Sequence, residues 1–188
     1  SKGVVHTKRA DKVDPDKMRF AQDTGARTLA DVIAGADIFL GLSTGGVLTP
    51  EMVQAMAERP IILAMANPEP EIRPELAKQV RPDCLIGTGR SDYPNQVNNS
   101  LCFPFMFRGA LDCGASTINE EMKLAAVRAL AELARAEPSE IVALAYGEAT
   151  PSFGPDYLIP RAFDPRLITG MAPAVAKAAM DSGVATRP

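Results

Sequence analysis

Residues 60–71 read PIILAMANPEPE, and this stretch decides the fold. Its first half is an unbroken apolar run, and Asn67 and Pro68 follow shortly after it, a pair that favours a turn. A continuous apolar run is typical of a strand that is buried on both faces of a parallel sheet. In such folds, ligands bind in the crevice outside the carboxyl ends of the strands. The polar residues that follow this strand are therefore candidates for a binding site.

A second stretch repeats this arrangement. Residues 84–101 read CLIGTGRSDYPNQVNNSL, in which a short apolar run is followed by serine, asparagine and glutamine. Their side chains are neutral, and they both donate and accept hydrogen bonds. Two strands that end in such groups predict a ligand site built mainly from amides.

Helix and strand patterns alternate along the chain outward from these stretches. Gly35 is typical of a helix end, and Thr49 followed by Pro50 is typical of a helix start. This alternation predicts an α/β fold with a parallel sheet, right-handed crossovers and flanking helices. The predicted strands cover 37–42, 60–65 and 84–86, and the predicted helices cover 28–35, 49–56 and 74–80.

The chain changes character after the third strand. Residues 103–111 read FPFMFRGAL, and their phenylalanines are predicted to lie in a core or at a subunit contact. Residues 117–120 read TINE, a capping box that predicts a packing helix to about residue 136. The proline-rich remainder is predicted to be extended apart from a helix near 173–181.

Composition excludes several classes of function. The chain has 188 residues, and 20 basic against 23 acidic side chains give a formal net charge of −3. It has no dense basic cluster with interleaved aromatic residues, so no nucleic-acid partner is expected. No apolar run approaches the roughly 20 residues that span a bilayer, so we predict a cytoplasmic protein without membrane contact. Three cysteines, an odd number, predict reduced thiols rather than disulfides.

The sequence lacks the phosphate-binding fingerprint of a dinucleotide fold. That fingerprint, G-x-G-x-x-G between a strand and a helix, opens such a domain. The nearest element, Gly87-Thr88-Gly89, has no third glycine and is followed by Asp92. We therefore predict a Rossmann-like sheet without its first strand and glycine-rich loop, as in the second half of a dinucleotide-binding domain.

Seven segments of the chain share the sequence of one known family, namely residues 41–43, 48–52, 65–72, 87–101, 103–112, 118–123 and 157–188. They resemble the malic enzymes, in particular the bacterial type that uses NADP. The resemblance implies an oxidoreductase that converts malate to pyruvate and CO₂ with NADP, or with NAD, and with Mg²⁺ or Mn²⁺. It also implies that residues 1–136 are the C-terminal portion of the NAD(P)-binding domain and that 137–188 are an extension that packs on the domain or on a neighbouring subunit.

The resemblance implies roles for three asparagines. Asn67 corresponds to the family's asparagine between nicotinamide and malate, so we expect it to contact both cofactor and substrate. Asn98 and Asn99 match the family's paired asparagines, which bind the malate carboxylate. Adjacent side chains on an extended backbone point in opposite directions, so one is expected to bind substrate and the other to brace the loop.

The resemblance also assigns a cofactor loop. Ser43, Gly45 and Gly46 correspond to the segment that approaches the nicotinamide ribose, where glycine lets the backbone come close to a ligand. The family's catalytic tyrosine and lysine and its metal-binding carboxylates all precede the part that this chain resembles. The resemblance therefore implies no catalytic residue, no metal ligand and no activity in this chain alone.

The implied partners follow from the same resemblance. They are malate and pyruvate, the missing N-terminal half of the enzyme, further copies in a homo-oligomer, and an acetyltransferase-like domain that often follows in this branch. The alternative is a non-catalytic dinucleotide-binding or oligomerisation module that retains the malic enzyme scaffold.

Plainer interpretations remain open for the individual motifs. Without the resemblance, Asn67-Pro68 would be a turn, Asn98-Asn99 a loop or a helix cap, and Gly45-Gly46 a flexible turn. Arg90 and Asp92 are predicted to form a structural ion pair rather than to bind a phosphate.

Overall fold

Three strands form a single sheet in the computed structural model, which describes residues 3–9, 13–137 and 152–187. They are β1 (Ile38–Gly41), β2 (Ile61–Ala64) and β3 (Leu85–Thr88), in the order β1-β2-β3. β1 pairs with β2 in parallel, with Ile38 opposite Ile61 and Gly41 opposite Ala64. The parallel sheet and its flanking helices confirm the predicted Rossmann-like α/β fold.

Seven helices and one 3₁₀ turn accompany the sheet in the described residues. Two of these helices connect successive strands as predicted, and each predicted strand and helix of the first half is present within a few residues of its expected ends. The helices are α1 (Pro15–Met18), α2 (Leu29–Ile33), α3 (Pro50–Ala55), α4 (Pro74–Val80), α5 (Phe103–Asp112), α6 (Glu120–Arg135) and α7 (Arg166–Asp181), and the 3₁₀ turn is Asn99–Leu101. No helix among these is long and apolar enough to cross a membrane.

The chain divides into two compact units, residues 1–86 and 87–188. In the first unit, α2, α3 and α4 contribute apolar side chains to a core with one face of the sheet. The buried members of this core include Ile33, Phe39, Leu48, Val53, Met56, Ile62, Ile72 and Ala77. The alternate residues of β1, Ile38 and Leu40, are 60% and 58% exposed.

The second unit is built on α5, α6 and α7, whose buried residues form one core. Met106, Met122, Leu167, Met171 and Val175 belong to it. The helix of the proline-rich extension is therefore an integral part of this unit. The predicted division into a domain of residues 1–136 and an extension of residues 137–188 stays a prediction.

Two predicted helix starts are wrong. Asn119 rather than Thr117 caps α6, because its Oδ1 accepts a hydrogen bond from the Met122 backbone N–H at 3.0 Å. α7 begins at Arg166 and not near Pro173, which lies inside the helix. Proline favours the first turn of a helix but is tolerated further in when packing holds the remaining residues, and α7 buries Leu167 and Met171 ahead of it.

The aromatic segment forms α5, and its rings are less buried than a core position requires. Phe103 and Phe107 are 63% and 44% exposed, and their ring centroids lie 4.8 Å apart. Phe105 packs against the core of the second unit. The core prediction is therefore wrong for Phe103 and Phe107, and a subunit contact through these two rings stays a prediction.

An ion pair joins the segments that lead into β2 and β3. The Arg81 guanidinium donates to both oxygens of Asp83 and also to the carbonyl oxygens of Met56 and Ala57. The Arg59 backbone N–H donates to Asp83 Oδ2 at 2.7 Å. The Arg81 side chain, followed by the Arg59 N–H, holds the pKa of Asp83 well below its ordinary value.

We expect this carboxylate to make stability fall in acid. Because the folded state lowers the pKa of Asp83, its contribution is present above the unfolded pKa of about 3.9 and is lost as pH falls through the lower folded value. In Asp83→Asn, the free energy of unfolding should drop most near neutral pH, and the difference from wild type should shrink below about pH 4. Denaturant unfolding across this pH range measures it. Asp181→Asn, in an exposed pair with Lys177, is the control and should show a smaller difference at every pH.

Candidate functional site

Two loops border a cleft at the carboxyl ends of β1 and β2. The cleft has a volume of about 470 Å³, and the four residues predicted to contact cofactor from the first unit, Ser43, Gly45, Gly46 and Asn67, all line it. Thr44, Pro68 and Glu69 complete its lining. Because the two strands are parallel and adjacent, the loops that follow them start at the same edge of the sheet.

Direct hydrogen bonds hold the two loops together. The Ser43 backbone N–H donates to Glu71 Oε1 at 2.8 Å. Further along, the Gly46 N–H donates to the Pro70 carbonyl at 3.1 Å, and the Leu48 N–H donates to the Glu71 carbonyl at 3.0 Å. The two segments that border the cleft are therefore joined by both backbone and side-chain hydrogen bonds.

The backbone geometry of the first loop explains why Gly45 and Gly46 are glycines. A Cβ on Gly45 would lie 2.8 Å from both the Cβ and the carbonyl oxygen of Glu69, so only glycine lets the loops approach this closely. Gly46 has φ +73°, and a Cβ there would meet nothing within 4 Å. The contact of these glycines with a nicotinamide ribose stays a prediction.

The chemistry of the cleft suits an uncharged polar group. Ser43 and Asn67 are exposed at its border, and a hydroxyl and a carboxamide can each donate and accept. Glu69 is the one charged lining residue, and its carboxylate accepts two hydrogen bonds of 3.0 Å from the Arg73 side chain. No lysine or arginine lines the cleft, so a phosphate bound there would have no basic side chain as its counter-charge.

Asn98 and Asn99 belong to the second unit, in the segment after β3. The Val97 backbone N–H donates to the carbonyl oxygen of Thr88, the last residue of β3, at 2.7 Å. This hydrogen bond ties the segment to the end of the strand. Asn98 caps the 3₁₀ turn, because its Oδ1 accepts from the Ser100 N–H at 3.0 Å. The side chain of Asn99 is exposed. Asn98 thus stabilises its own turn, while the binding of malate by either residue stays a prediction.

Sequence reasoning missed a buried asparagine in the same segment. Asn95 has φ 55° and donates from Nδ2 to the Pro155 carbonyl at 2.8 Å, while its Oδ1 accepts from the Leu158 N–H at 2.7 Å. It thereby fastens residues 155–158 of the C-terminal extension to the loop after β3. Asparagine tolerates the left-handed region better than most residues, and that preference was the only local signal.

The predicted pairing of Arg90 with Asp92 is confirmed. Arg90 Nη2 and Nε lie 2.6 Å and 2.9 Å from the two carboxylate oxygens, and the guanidinium carbon lies 5.2 Å from the centroid of the Tyr93 ring. The hydrogen bonds from Arg90 lower the pKa of Asp92. Elsewhere in the described part of the chain, no group of three or more histidine, cysteine, aspartate or glutamate residues could hold a metal ion.

A parallel α/β sheet with a cleft at the carboxyl ends of adjacent strands is the arrangement found in dinucleotide-binding domains. The family model described as the malic enzyme NAD-binding domain matches residues 1–145. The chain therefore belongs to the malic enzyme family, which confirms the resemblance.

Individual relatives agree with this assignment. The chain is 69% identical to the NADP-dependent malic enzyme of Salmonella typhimurium, and the match covers 100% of this chain and 25% of that protein. It is 64% identical to the NAD-dependent malic enzyme of Rhizobium meliloti, with 99% of this chain and 24% of that protein covered. It thus spans about a quarter of the length of these relatives.

Solved structures share the fold. The crystal structure of Entamoeba histolytica malic enzyme matches with a TM-score of 0.82 and 35% identity, covering 100% of this chain and 37% of that one. Malic enzyme from Pyrococcus horikoshii matches with a TM-score of 0.70 and 38% identity, covering 85% of this chain and 33% of that one.

Proposed function

We propose that this chain forms the nicotinamide-facing and malate-facing part of a longer enzyme that oxidatively decarboxylates malate to pyruvate and CO₂. The observation that carries the proposal is the cleft between the β1 and β2 loops, where Ser43 and Asn67 present neutral donors and acceptors. Membership of the malic enzyme family supplies the reaction. A bound NADP would supply the hydride acceptor beside Ser43 and Asn67, and a divalent metal held by residues outside this chain would supply a Lewis acid.

Asn67 has the central part in this proposal. Its Nδ2 donates to a carboxylate or carbonyl oxygen and its Oδ1 accepts from an amide or hydroxyl, so it orients nicotinamide and malate relative to each other. A neutral carboxamide keeps this capacity at every physiological pH. Ser43 and the open backbone at Gly46 border the ribose. The family resemblance supports Asn98 and Asn99 of the second unit as further malate-binding residues.

The chain contributes positioning rather than acid, base or metal chemistry. We assign the catalytic acid and base and the Mg²⁺ or Mn²⁺ ligands to a preceding section of the enzyme. The preference for NADP over NAD is proposed from the resemblance to the bacterial NADP-dependent branch alone. A cytoplasmic homo-oligomer completes the proposal.

The test is the near-ultraviolet absorbance of reduced nicotinamide. The full-length protein, the 188-residue chain alone, and the chain mixed with the preceding half are each incubated with malate, Mn²⁺ and either NADP⁺ or NAD⁺. We expect activity of the full-length protein with a preference for NADP⁺, activity in the mixture, and none from the chain alone. Activity of the chain alone would move the acid, base and metal ligands into it. An inactive full-length protein would favour the non-catalytic module.

A further inference from the structure

A buried carboxylate lies directly behind the cleft. Glu71 is 0% exposed, and it is held by two backbone N–H groups from different loops. The Ser43 N–H donates to Oε1 at 2.8 Å, and the Ala66 N–H donates to Oε2 at 3.0 Å. Ser43 and Asn67, the residue after Ala66, are two of the residues that border the cleft with polar side chains. One carboxylate therefore bonds the backbone of both cofactor loops.

Burial of such a group is costly unless it is fully hydrogen-bonded. Among the described residues, no lysine or arginine side chain pairs with Glu71, so its carboxylate depends on the two N–H groups. A neutral or apolar residue would fill this volume without that cost. The presence of glutamate at position 71 is therefore explained by its hydrogen bonds to the Ser43 and Ala66 N–H groups rather than by apolar packing.

The end of β1 is shaped to receive this side chain. A Cβ built on Gly41 would lie 2.6 Å from Glu71 Oε1 and 2.8 Å from Oε2, which is closer than real Cβ atoms approach. Glycine inside a strand often marks a close approach of this kind. The absence of a side chain at Gly41 therefore makes room for the carboxylate of Glu71.

We propose that Glu71 is a positioning residue for the dinucleotide site and that Gly41 leaves the space that its carboxylate occupies. The inference rests on the proposed function, in which Ser43 and Asn67 contact the cofactor. Glu71 is inferred to set the distance between the loops that carry these two residues. By bonding the N–H of Ser43 and the N–H that precedes Asn67, the carboxylate fixes where both polar side chains meet the nicotinamide end of the cofactor. Small displacements of such groups cost about 100-fold in rate.

The test uses Glu71→Gln and Gly41→Ala in the full-length enzyme. Glutamine has the size of glutamate but can accept from only one of the two N–H groups, so one loop is released. We expect KM for the dinucleotide to rise by about 10- to 100-fold, as expected for loss of one hydrogen bond to a charged group. Gly41→Ala displaces the same carboxylate and should have a similar effect, and the double variant should be no worse than the more affected single one.

Asp164→Asn is the matched control. Asp164 is a buried carboxylate of the second unit that accepts from the Arg166 backbone N–H at 2.9 Å and from its guanidinium at 2.7 Å. Its loss should lower the melting temperature without raising KM for the dinucleotide. If Glu71→Gln behaves in the same way, Glu71 is only structural and the inference is overturned.

Backbone exchange separates this inference from the proposed function. Hydrogen–deuterium exchange in peptides spanning residues 42–48 and 65–72 should be faster in Glu71→Gln, while a peptide from α6 is unchanged. Unchanged exchange in both loop peptides would overturn the inference even if the wild-type enzyme oxidises malate. If wild type reduces neither NADP⁺ nor NAD⁺, the proposed function fails, and faster exchange would still support the joining of the loops by Glu71.

Discussion

Asn67→Ala in the full-length enzyme is expected to lower kcat/KM for malate by about 10- to 100-fold. The proposed hydrogen bond from Asn67 to charged substrate is worth about 1.5–3 kcal/mol, which corresponds to that range. The side chain is exposed at the cleft, so its removal should leave the melting temperature within about 1 °C of wild type. Steady-state kinetics with malate and NADP⁺ measures the effect.

Two further variants sharpen this expectation. Asn67→Asp keeps the shape but replaces the donor with a negative charge, so its loss of kcat/KM should be at least as large. Gln54→Ala removes an exposed amide of α3 outside the cleft and should leave the kinetics unchanged. Wild-type kinetics in both Asn67 variants would remove this residue from the site.

Gly109→Ala is expected to destabilise the second unit by about 1–3 kcal/mol, the cost of overpacking a close-packed core. The glycine lies on the face of α5 that meets α7. A Cβ there would overlap the Ala172 carbonyl oxygen, and it would lie 2.8 Å from the Val175 Cβ and 3.0 Å from its Cγ1. Two helix backbones approach each other at this point, and a methyl group would force them apart. Thermal unfolding followed by circular dichroism measures the change.

Gly170→Ala is the control for helix propensity. Gly170 lies in α7, where an added Cβ meets nothing within 4 Å. Alanine should stabilise this helix by about 0.5–1 kcal/mol. The two substitutions are chemically identical, so opposite signs would isolate the contact between α5 and α7. A neutral or stabilising Gly109→Ala would show that the two helices can separate without loss.

The sheet and the cleft of the first unit were predictable because they depend on local patterns. Apolar runs mark the strands, and Pro74 marks the start of α4, whose bounds agree with the prediction. The meeting of Ser43 and Asn67 at one edge followed from parallel pairing alone. Their chemical roles did not follow from the pattern, since asparagine before proline is equally typical of a plain turn.

Other features depend on contacts that no local pattern contains. Glu71, between two residues of an apparent loop, looks like a surface carboxylate, and its burial depends on the space left by Gly41, thirty positions earlier. The start of α7 was hidden for the same reason, because the burial of Leu167 and Met171 outweighs the preference of Pro173 for a first turn. Sequence reasoning recovers what neighbours in the chain decide, and it misses what distant partners decide.

The packing of α7 bears on how the protein can be shortened. The family model ends at residue 145, whereas α7 begins at Arg166. The buried side chains of α7 belong to the same hydrophobic core as those of α5 and α6. A truncation at the family boundary would expose that core to water, and it would also strip the buried Asn95 of both its backbone partners. Any version made for expression or crystallisation should keep its cut site beyond Arg187, because Val184 and Ala185 pack against the same core and the Arg187 N–H donates to the Cys113 carbonyl.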